Sequence, residues 1–341
     1  MSAEVPVVPH NRMGVDYRAV PARKVIVPGG IIDAHTHTGD PAQTATFVDA
    51  ASAYGISEIW TMCGLEHAAA VKERWPGKFH FIAVPAWKNA AATEEYITDW
   101  LRRLDAFWEL GARLIKFHQA PGTKKRWGMA AAHPMIQRVA KHAHALGYHL
   151  MTHIGDPKAW FYGKGPYADG VMGTFAEQFE LALPLVELFG DRVHLGAHMG
   201  GSLEDLDGLA RRLEKFPNYV IDTSATKWIV RAVAEQSVEA VRDFIVGYQD
   251  RIVFGSDLVV GDKYDWDHYA SRYWVHQKLW ETDFRGESPI TDPDAGKGFD
   301  PKSGTFDAAK ADGTVRLAGV DLPVEVLMKL YRLNAEKWLP R

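Results

Sequence analysis

Asp33-Ala34-His35-Thr36-His37 closes an apolar run (Val25 to Val27, then Ile31 and Ile32) and is followed at once by Thr38, Gly39, Asp40 and Pro41. On a strand, residues two apart leave the same face, roughly 6.6–6.8 Å apart along the axis. Two imidazoles at a strand end can therefore reach one metal ion. A helix would splay them, because helical pairs meet at i, i+3 or i+4. The plainer alternative is a pair of polar turn residues, one of them capping a helix that starts near Pro41.

Short apolar runs alternate with segments of helical period along the rest of the chain. Strands are predicted at Ile31–His35, Glu58–Cys63, Phe79–Pro85, Arg113–His118, Tyr148–His153, Val193–His198, Tyr219–Thr223 and Arg251–Ser256. Helices are predicted at Gln43–Tyr54, Leu65–Trp75, Thr93–Leu110, Pro134–Leu146, Thr174–Phe189, Leu203–Phe216 and Trp228–Tyr248. Gly55, Gly111, Gly147 and Gly190 stand just ahead of strands, where a helix end favours a residue free to turn left-handed. Eight strand–helix units imply a parallel sheet. No Gly-rich dinucleotide fingerprint follows the first strand, which favours an α/β fold of the single (β/α)8 barrel type over an open, doubly wound sheet.

The rhythm breaks between Val259 and Gly319. Tyr264–Trp280 reads as an aromatic helix, and Phe284–Gly319 as a loop rich in Gly, Asp, Pro and Lys. Residues 259–319 are thus expected to be a long insertion after strand 8 that shapes the substrate cavity or a subunit contact. Helical sequence resumes at Pro323–Trp338. Residues 1–24 are too few for an accessory domain and read as an N-terminal extension, so 1–341 is expected to be one domain.

Composition narrows the partners. A chain of 341 residues suits a barrel, which typically takes ~250 residues and more with insertions. Its 39 basic and 43 acidic residues give a formal charge of −4 without a long like-charge block, which speaks against nucleic acid. Lys124-Lys125-Arg126 reads as a solvated loop. Cys63 is the sole cysteine, so neither an intrachain disulfide nor a thiolate metal cluster can form. No basic-then-apolar leader opens the chain, and no run of 18 apolar residues follows. The expectation is a cytoplasmic protein that acts on a small molecule, with no membrane partner and with homo-oligomerisation left open.

Barrel active sites gather where the strands end, and the strand ends here carry the chemistry. The first strand offers His35 and His37, the fourth Lys116 and His118, the fifth His153, the sixth His198 and the eighth Asp257. Closure would set the eighth strand beside the first and the fifth across the mouth, so His35, His37, His153 and Asp257 can meet around one ion. Three imidazoles and a carboxylate suit a divalent ion, zinc foremost, at ~2.0–2.2 Å. Trp87-Lys88, Trp160-Phe161-Tyr162 and Ser224 with Lys227 suggest an aromatic wall with cationic anchors for a planar or carboxylated substrate; ordinary loop packing is the alternative. His133, His142 and His144 belong to a helix, and His194 reads as buried and hydrogen-bonded. Asp33 shares the parity of His35 and His37 and is expected to support them from below.

Asp33-Ala34-His35-Thr36-His37 resembles the first-strand signature of the amidohydrolase superfamily. His153, Ala197-His198-Met199-Gly200-Gly201 and Phe254-Gly255-Ser256-Asp257 resemble its later strand signatures, in the same order. Leu333-Asn334-Ala335-Glu336-Lys337-Trp338-Leu339 resembles the last helix of the amidohydrolase-related branch. That branch includes metal-dependent hydrolases and the aminocarboxymuconate-semialdehyde decarboxylase type. The resemblance implies a barrel with His35, His37, His153 and Asp257 as metal ligands. It also implies catalytic roles for Asp257, as proton acceptor, and for His198, which would bind a second metal or polarise substrate and water. Lys116 stands where binuclear members carry a carbamylated bridging lysine. One divalent ion is therefore expected, zinc foremost, and two if Lys116 is carbamylated. Otherwise Lys116 is expected to contact substrate together with His118, Trp87 and Trp160. The reaction implied is metal-dependent hydrolysis of a C–O or C–N bond in a small organic substrate; the alternative is a metal-dependent, non-oxidative decarboxylase of the same fold.

Overall fold

The computed structural model describes residues 8–201, 203–295, 299–300, 305–306 and 313–341. Strands β1 (Ile31–Thr38), β2 (Ile56–Cys63), β3 (Phe79–Ala83), β4 (Leu114–His118), β5 (His149–His153), β6 (His194–Gly196), β7 (Tyr219–Asp222), β8 (Ile252–Val253) and β9 (Leu258–Val259) form one parallel sheet. Its order is β8-β7-β6-β5-β4-β3-β2-β1-β9. All eight predicted strands are present, the eighth shortened to Ile252–Val253, and β9 is a ninth strand beyond its predicted end. Helices cover the sheet, so its strands are buried on both faces and read as near-continuous apolar runs.

The two ends of the sheet order lie on one short stretch of chain, since β8 ends at Val253 and β9 begins at Leu258. Between them, Ala34 N donates to Phe254 O at 2.8 Å and Asp257 N to His35 O at 2.7 Å, both across to β1. The sheet therefore curls until its edges meet, consistent with a (β/α)8 barrel. Below that junction the C-terminal helix closes the gap. A five-residue π turn, Lys329–Leu333, interrupts it, and Leu330 O accepts from Phe254 N at 2.9 Å. Asn334 Nδ2 donates to Gln249 O at 2.6 Å and Ile252 O at 2.7 Å.

Several boundaries differ from the sequence reading, each for a local reason. β6 stops at Gly196 because His198 and Met199 adopt left-handed backbone, with φ of 58° and 53°. The predicted helix Trp228–Tyr248 is two helices, Thr226–Glu235 and Val238–Gly247, and Ser237 caps the second by accepting from Ala240 N. Lys124-Lys125-Arg126 is not a solvated loop: it lies on the helix Pro121–Trp127, and the buried Lys124 donates to Gln178 Oε1 at 2.9 Å.

The described residues after β9 hold more regular structure than the composition of that segment suggests. The helix Trp266–Glu281 packs against Pro41–Ala53 on one side and Thr226–Glu235 on the other, burying Tyr269, Tyr273 and Trp280. Arg285–Glu287 then pairs antiparallel with Arg316–Ala318. Ile290, Val315 and Leu317 join the hydrophobic core, and Asp292 pairs with the buried Arg231. The N-terminal extension lies along this segment: Arg12 N donates to Pro289 O at 2.8 Å and Thr291 N to Pro9 O at 2.7 Å. Of the two segments predicted as extension and insertion, residues 1–7, 296–298, 301–304 and 307–312 lie outside the described residues. No helix among the described residues is long and apolar enough to cross a membrane.

Candidate metal centre

Five described non-glycine residues have positive φ, and four of them follow β6, β7 and β8: His198 (58°), Met199 (53°), Ala225 (65°) and Asp257 (58°). Left-handed backbone costs an L-residue of order 1 kcal/mol or more, so it persists only where surrounding contacts enforce it. Those contacts are visible. A Cβ on Gly255 would stand 3.0 Å from the Cβ of His35 and 3.3 Å from those of Asp222 and Ser224, so only glycine lets this turn lie against β1 and β7. Asp33, one turn of the pleat below His35, accepts from Ser256 N at 3.0 Å, Ser256 Oγ at 2.6 Å, Tyr273 OH at 2.9 Å and His35 N at 3.2 Å. Burial raises its pKa to about 6 against these bonds.

His35 is fully buried at the centre of the net. Its Nδ1 lies 2.8 Å from Asp222 Oδ2. With that carboxylate as acceptor, Nδ1 carries the proton and Nε2 presents its lone pair to the mouth. There Nε2 is 3.2 Å from Asp257 Oδ1, and His37 Nε2 is 3.1 Å from the same oxygen. The ligand atoms of His35, His37 and Asp257 all lie within 4.8 Å of one another. Two imidazole nitrogens and a carboxylate oxygen gathered in this way fit a divalent cation. Burial and the Lys116 ammonium lower the His35 pKa, yet Asp222 and Asp257 outweigh them and leave it raised. Burial alone would raise Asp257, but His35 and His198 hold its carboxyl well below the usual range.

His198 extends the net. Its N donates to Asp222 Oδ1 at 2.9 Å, and its ring stacks on His35 with centroids 5.0 Å apart. Ser224 Oγ donates to Asp222 and lies 2.8 Å from His198 Nδ1 and 2.9 Å from His35 Nδ1. Lys116 Nζ stands 3.2 Å from His35 Nε2, and burial lowers its pKa to about 8.

His153 is placed differently from the other three predicted ligands. Its Nε2 faces Asp156 Oδ1 at 3.0 Å, and its ring packs 4.4 Å from His198 and 4.2 Å from His118. Asp156 in turn accepts from Tyr167 OH at 2.7 Å. Trp87 lies 6.1 Å from the His118 ring and 5.3 Å from Trp127; with His37 and Arg126 these residues line a cavity of about 290 Å³. Trp160 approaches the centre only through Trp228, whose ring is 5.6 Å from it and 5.3 Å from His198. His194, as expected, is buried with Nε2 2.7 Å from Thr152 Oγ1.

Asp222 is the residue that sequence reasoning missed. Its one signal was a carboxylate ending the apolar run Tyr219-Val220-Ile221. Asp156 and Trp228 gave none, because they sit in loops and helix starts with no periodicity to single them out.

A model of the amidohydrolase family matches residues 32–341. No curated protein matches the chain by sequence. Among solved structures, the 2,6-dihydroxybenzoate decarboxylase from Rhizobium aligns at 15% identity and TM-score 0.43, over 73% of this chain and 92% of that one. A dihydroxybenzoic acid decarboxylase from Polaromonas, with bound manganese and the inhibitor 2-nitroresorcinol, aligns at 14% identity and TM-score 0.45, over 73% and 90%. A protein described as amidohydrolase II aligns at 13% identity and TM-score 0.49, over 91% and 99%. Identities this low leave substrate and reaction to the residues of the site.

Proposed function

The chain belongs to the amidohydrolase family, and on that premise we propose that it is a metal-dependent hydrolase acting on a C–O or C–N bond of a small organic substrate. The reading includes a single (β/α)8 barrel in one domain, with β8 as the eighth strand. Residues 259–319 then follow the eighth strand as an insertion whose first part is the helix Trp266–Glu281.

One observation carries the functional reading. Asp257 Oδ1 stands within 3.2 Å of both His35 Nε2 and His37 Nε2, while its side chain keeps 26% exposure at the edge of a cavity. His35, His37 and Asp257 hold the ion, with His153 joining them if its ring leaves Asp156. A divalent cation bound there supplies Lewis acidity and brings the pKa of water toward neutrality.

The remaining work falls to side chains. Asp222 fixes the His35 tautomer through Nδ1. Asp257 is ionised at neutral pH and accepts a proton at its carboxylate, then returns it to the leaving group. His198, held neutral by burial and by His153, gives its Nδ1 proton to Ser224 Oγ, which leaves Nε2 as an acceptor that can orient and polarise the attacking water. Lys116 and His118 line the floor, and Trp87 the wall beside His37.

The test is product analysis in 18O-labelled water with metal-reconstituted protein on a panel of esters, lactones, amides and aryl carboxylates. Incorporation of one labelled oxygen is the expected result. Release of CO2 without incorporation would replace hydrolysis by decarboxylation on the same centre.

A further inference from the structure

A cavity of about 270 Å³ opens on the Asp257 side of the centre, away from Trp87. Lys227, Trp228, Tyr264, His268 and Arg272 line it with Asp257, which is its one carboxylate and is already engaged with His35 and His37. Lys227 comes from the first turn of the helix after β7, and Arg272 from the helix Trp266–Glu281. Arg272 Nη1 donates within its own helix, to His268 O at 3.0 Å and Ser271 Oγ at 2.9 Å. Among the described residues no carboxylate stands at ion-pair distance from either cation. Asp292 and Asp294 act on Lys227 only from farther away, where Arg272 opposes them, and Asp265 acts on Arg272 likewise without an ion-pair contact.

Two further features have the same sign. Ala225 and Thr226, at the start of the helix Thr226–Glu235, also line the cavity, and no side chain caps that helix. Its first backbone N–H groups and positive dipole end therefore face the same space. His268, stacked on Tyr264 with centroids 3.8 Å apart, is held neutral: burial, then Arg272, His10, Lys227 and Lys263, lower its pKa to about 2. Half-buried cations without a carboxylate in contact are costly, and an anion that displaces their water relieves the cost.

We propose that this cavity is a subsite for an oxyanion carried by the substrate, with Lys227 and Arg272 as its cationic anchors. The proposal rests on the hydrolase reading only in calling the ligand substrate. It places a carboxylate or phosphate group next to Asp257, so that the bond to be cleaved and the anionic group belong to one small molecule. Recognition then uses the Lys227–Arg272 side, while the His37 side takes the apolar or aromatic body.

Benzoate and phenyl phosphate are the probes, titrated by calorimetry into the metal-free protein, with benzamide as the neutral control. Binding of either anion is expected, weakened about tenfold or more in the Lys227→Met/Arg272→Met double variant. Benzamide affinity should be the same in both proteins. Lys227→Arg, which keeps the charge, should retain anion binding and shows that the site tolerates substitution. Tighter binding of one probe identifies the group as carboxylate or phosphate. Equal anion affinity in wild type and the double variant, or no saturable anion binding by wild type, overturns the proposal. Because neither metal nor turnover enters the titration, failure of the hydrolase reading in labelled water leaves these constants untouched.

Discussion

On the β1, β7 and β8 side of the mouth, Asp33, His35, Asp222 and Ser224 are tied to one another or to the turn before Asp257 by hydrogen bonds of 3.3 Å or less. On the β4 and β5 side, rings do most of the holding. Trp87, Trp127, His118 and His153 pack at centroid distances of 4.2–6.1 Å, while His118 Nδ1 and Gln119 Oε1 are buried without partners. The first wall fixes directions, because a hydrogen bond weakens steeply with misalignment. Ring packing tolerates sliding, and so suits a surface that must accept a substrate. The difference teaches where chemistry and recognition divide: the hydrogen-bonded wall suits reacting groups, which need placement to within about half an ångström, and the ring-packed wall supplies apolar area.

The division is broken most directly at Asp257. Asp257→Ala or His37→Ala should lower kcat/KM by about 10⁴-fold or more and reduce the bound metal. Steady-state kinetics with metal analysis by mass spectrometry on the same preparations checks both. Wild-type metal content in either variant would remove that residue from the ligand set. Next in size is His198→Ala, which should cut kcat by roughly 10²–10⁴-fold with metal content near wild type. Loss of metal together with activity would move His198 to the ligand side of the division. Asp222→Asn is smaller. It keeps the shape but removes the charge behind His35 Nδ1, so metal affinity should fall about 10–100-fold. Competition with a chelator measures that change, and an unchanged affinity would mean that the net around His35 serves only packing.

How far the sequence foretold these walls follows from the range of the forces involved. The strands were legible because parallel strands buried on both faces are written as local apolar runs, and His35 and His37 because a strand repeats every two residues. The left-handed turns were not legible. Met199 and Ala225 adopt positive φ although neither residue type prefers it locally. Asp222 was hidden because the histidines it holds, His35 on β1 and His198 just after β6, are far away in sequence. The antiparallel pair Arg285–Glu287 with Arg316–Ala318 was hidden likewise, since its register spans about thirty residues with little apolar pattern. Which nitrogen of His153 faces the ion, or Asp156, is a matter of side-chain rotation that no spacing encodes.

The smallest expected effect concerns how firmly the recognition wall is anchored. The helix Pro121–Trp127 carries Trp127, and its Lys124 is buried with Nζ bonded to Gln178 Oε1. Burial lowers the Lys124 pKa to about 8, with Asp156 pulling the other way. An unfolded lysine titrates near 10.4. Between those values the unfolded chain binds more protons than the folded one, so this group makes stability rise with pH. Below pH 8 the ammonium is charged in both states and its burial cost is fully present; above about 10.4 both states are neutral and the cost is gone. Lys124→Met removes that cost at every pH, while leaving Gln178 Oε1 without its donor, a loss of about 1–3 kcal/mol that does not titrate. The variant's Tm relative to wild type should therefore fall as pH rises from 7 to 10, whatever its sign at pH 7. Calorimetric Tm values for both proteins at pH 7, 8.5 and 10 make the check. A flat difference would place the Lys124 ammonium in water, and the ring-packed wall would then rest on a helix as solvated as its basic sequence suggests.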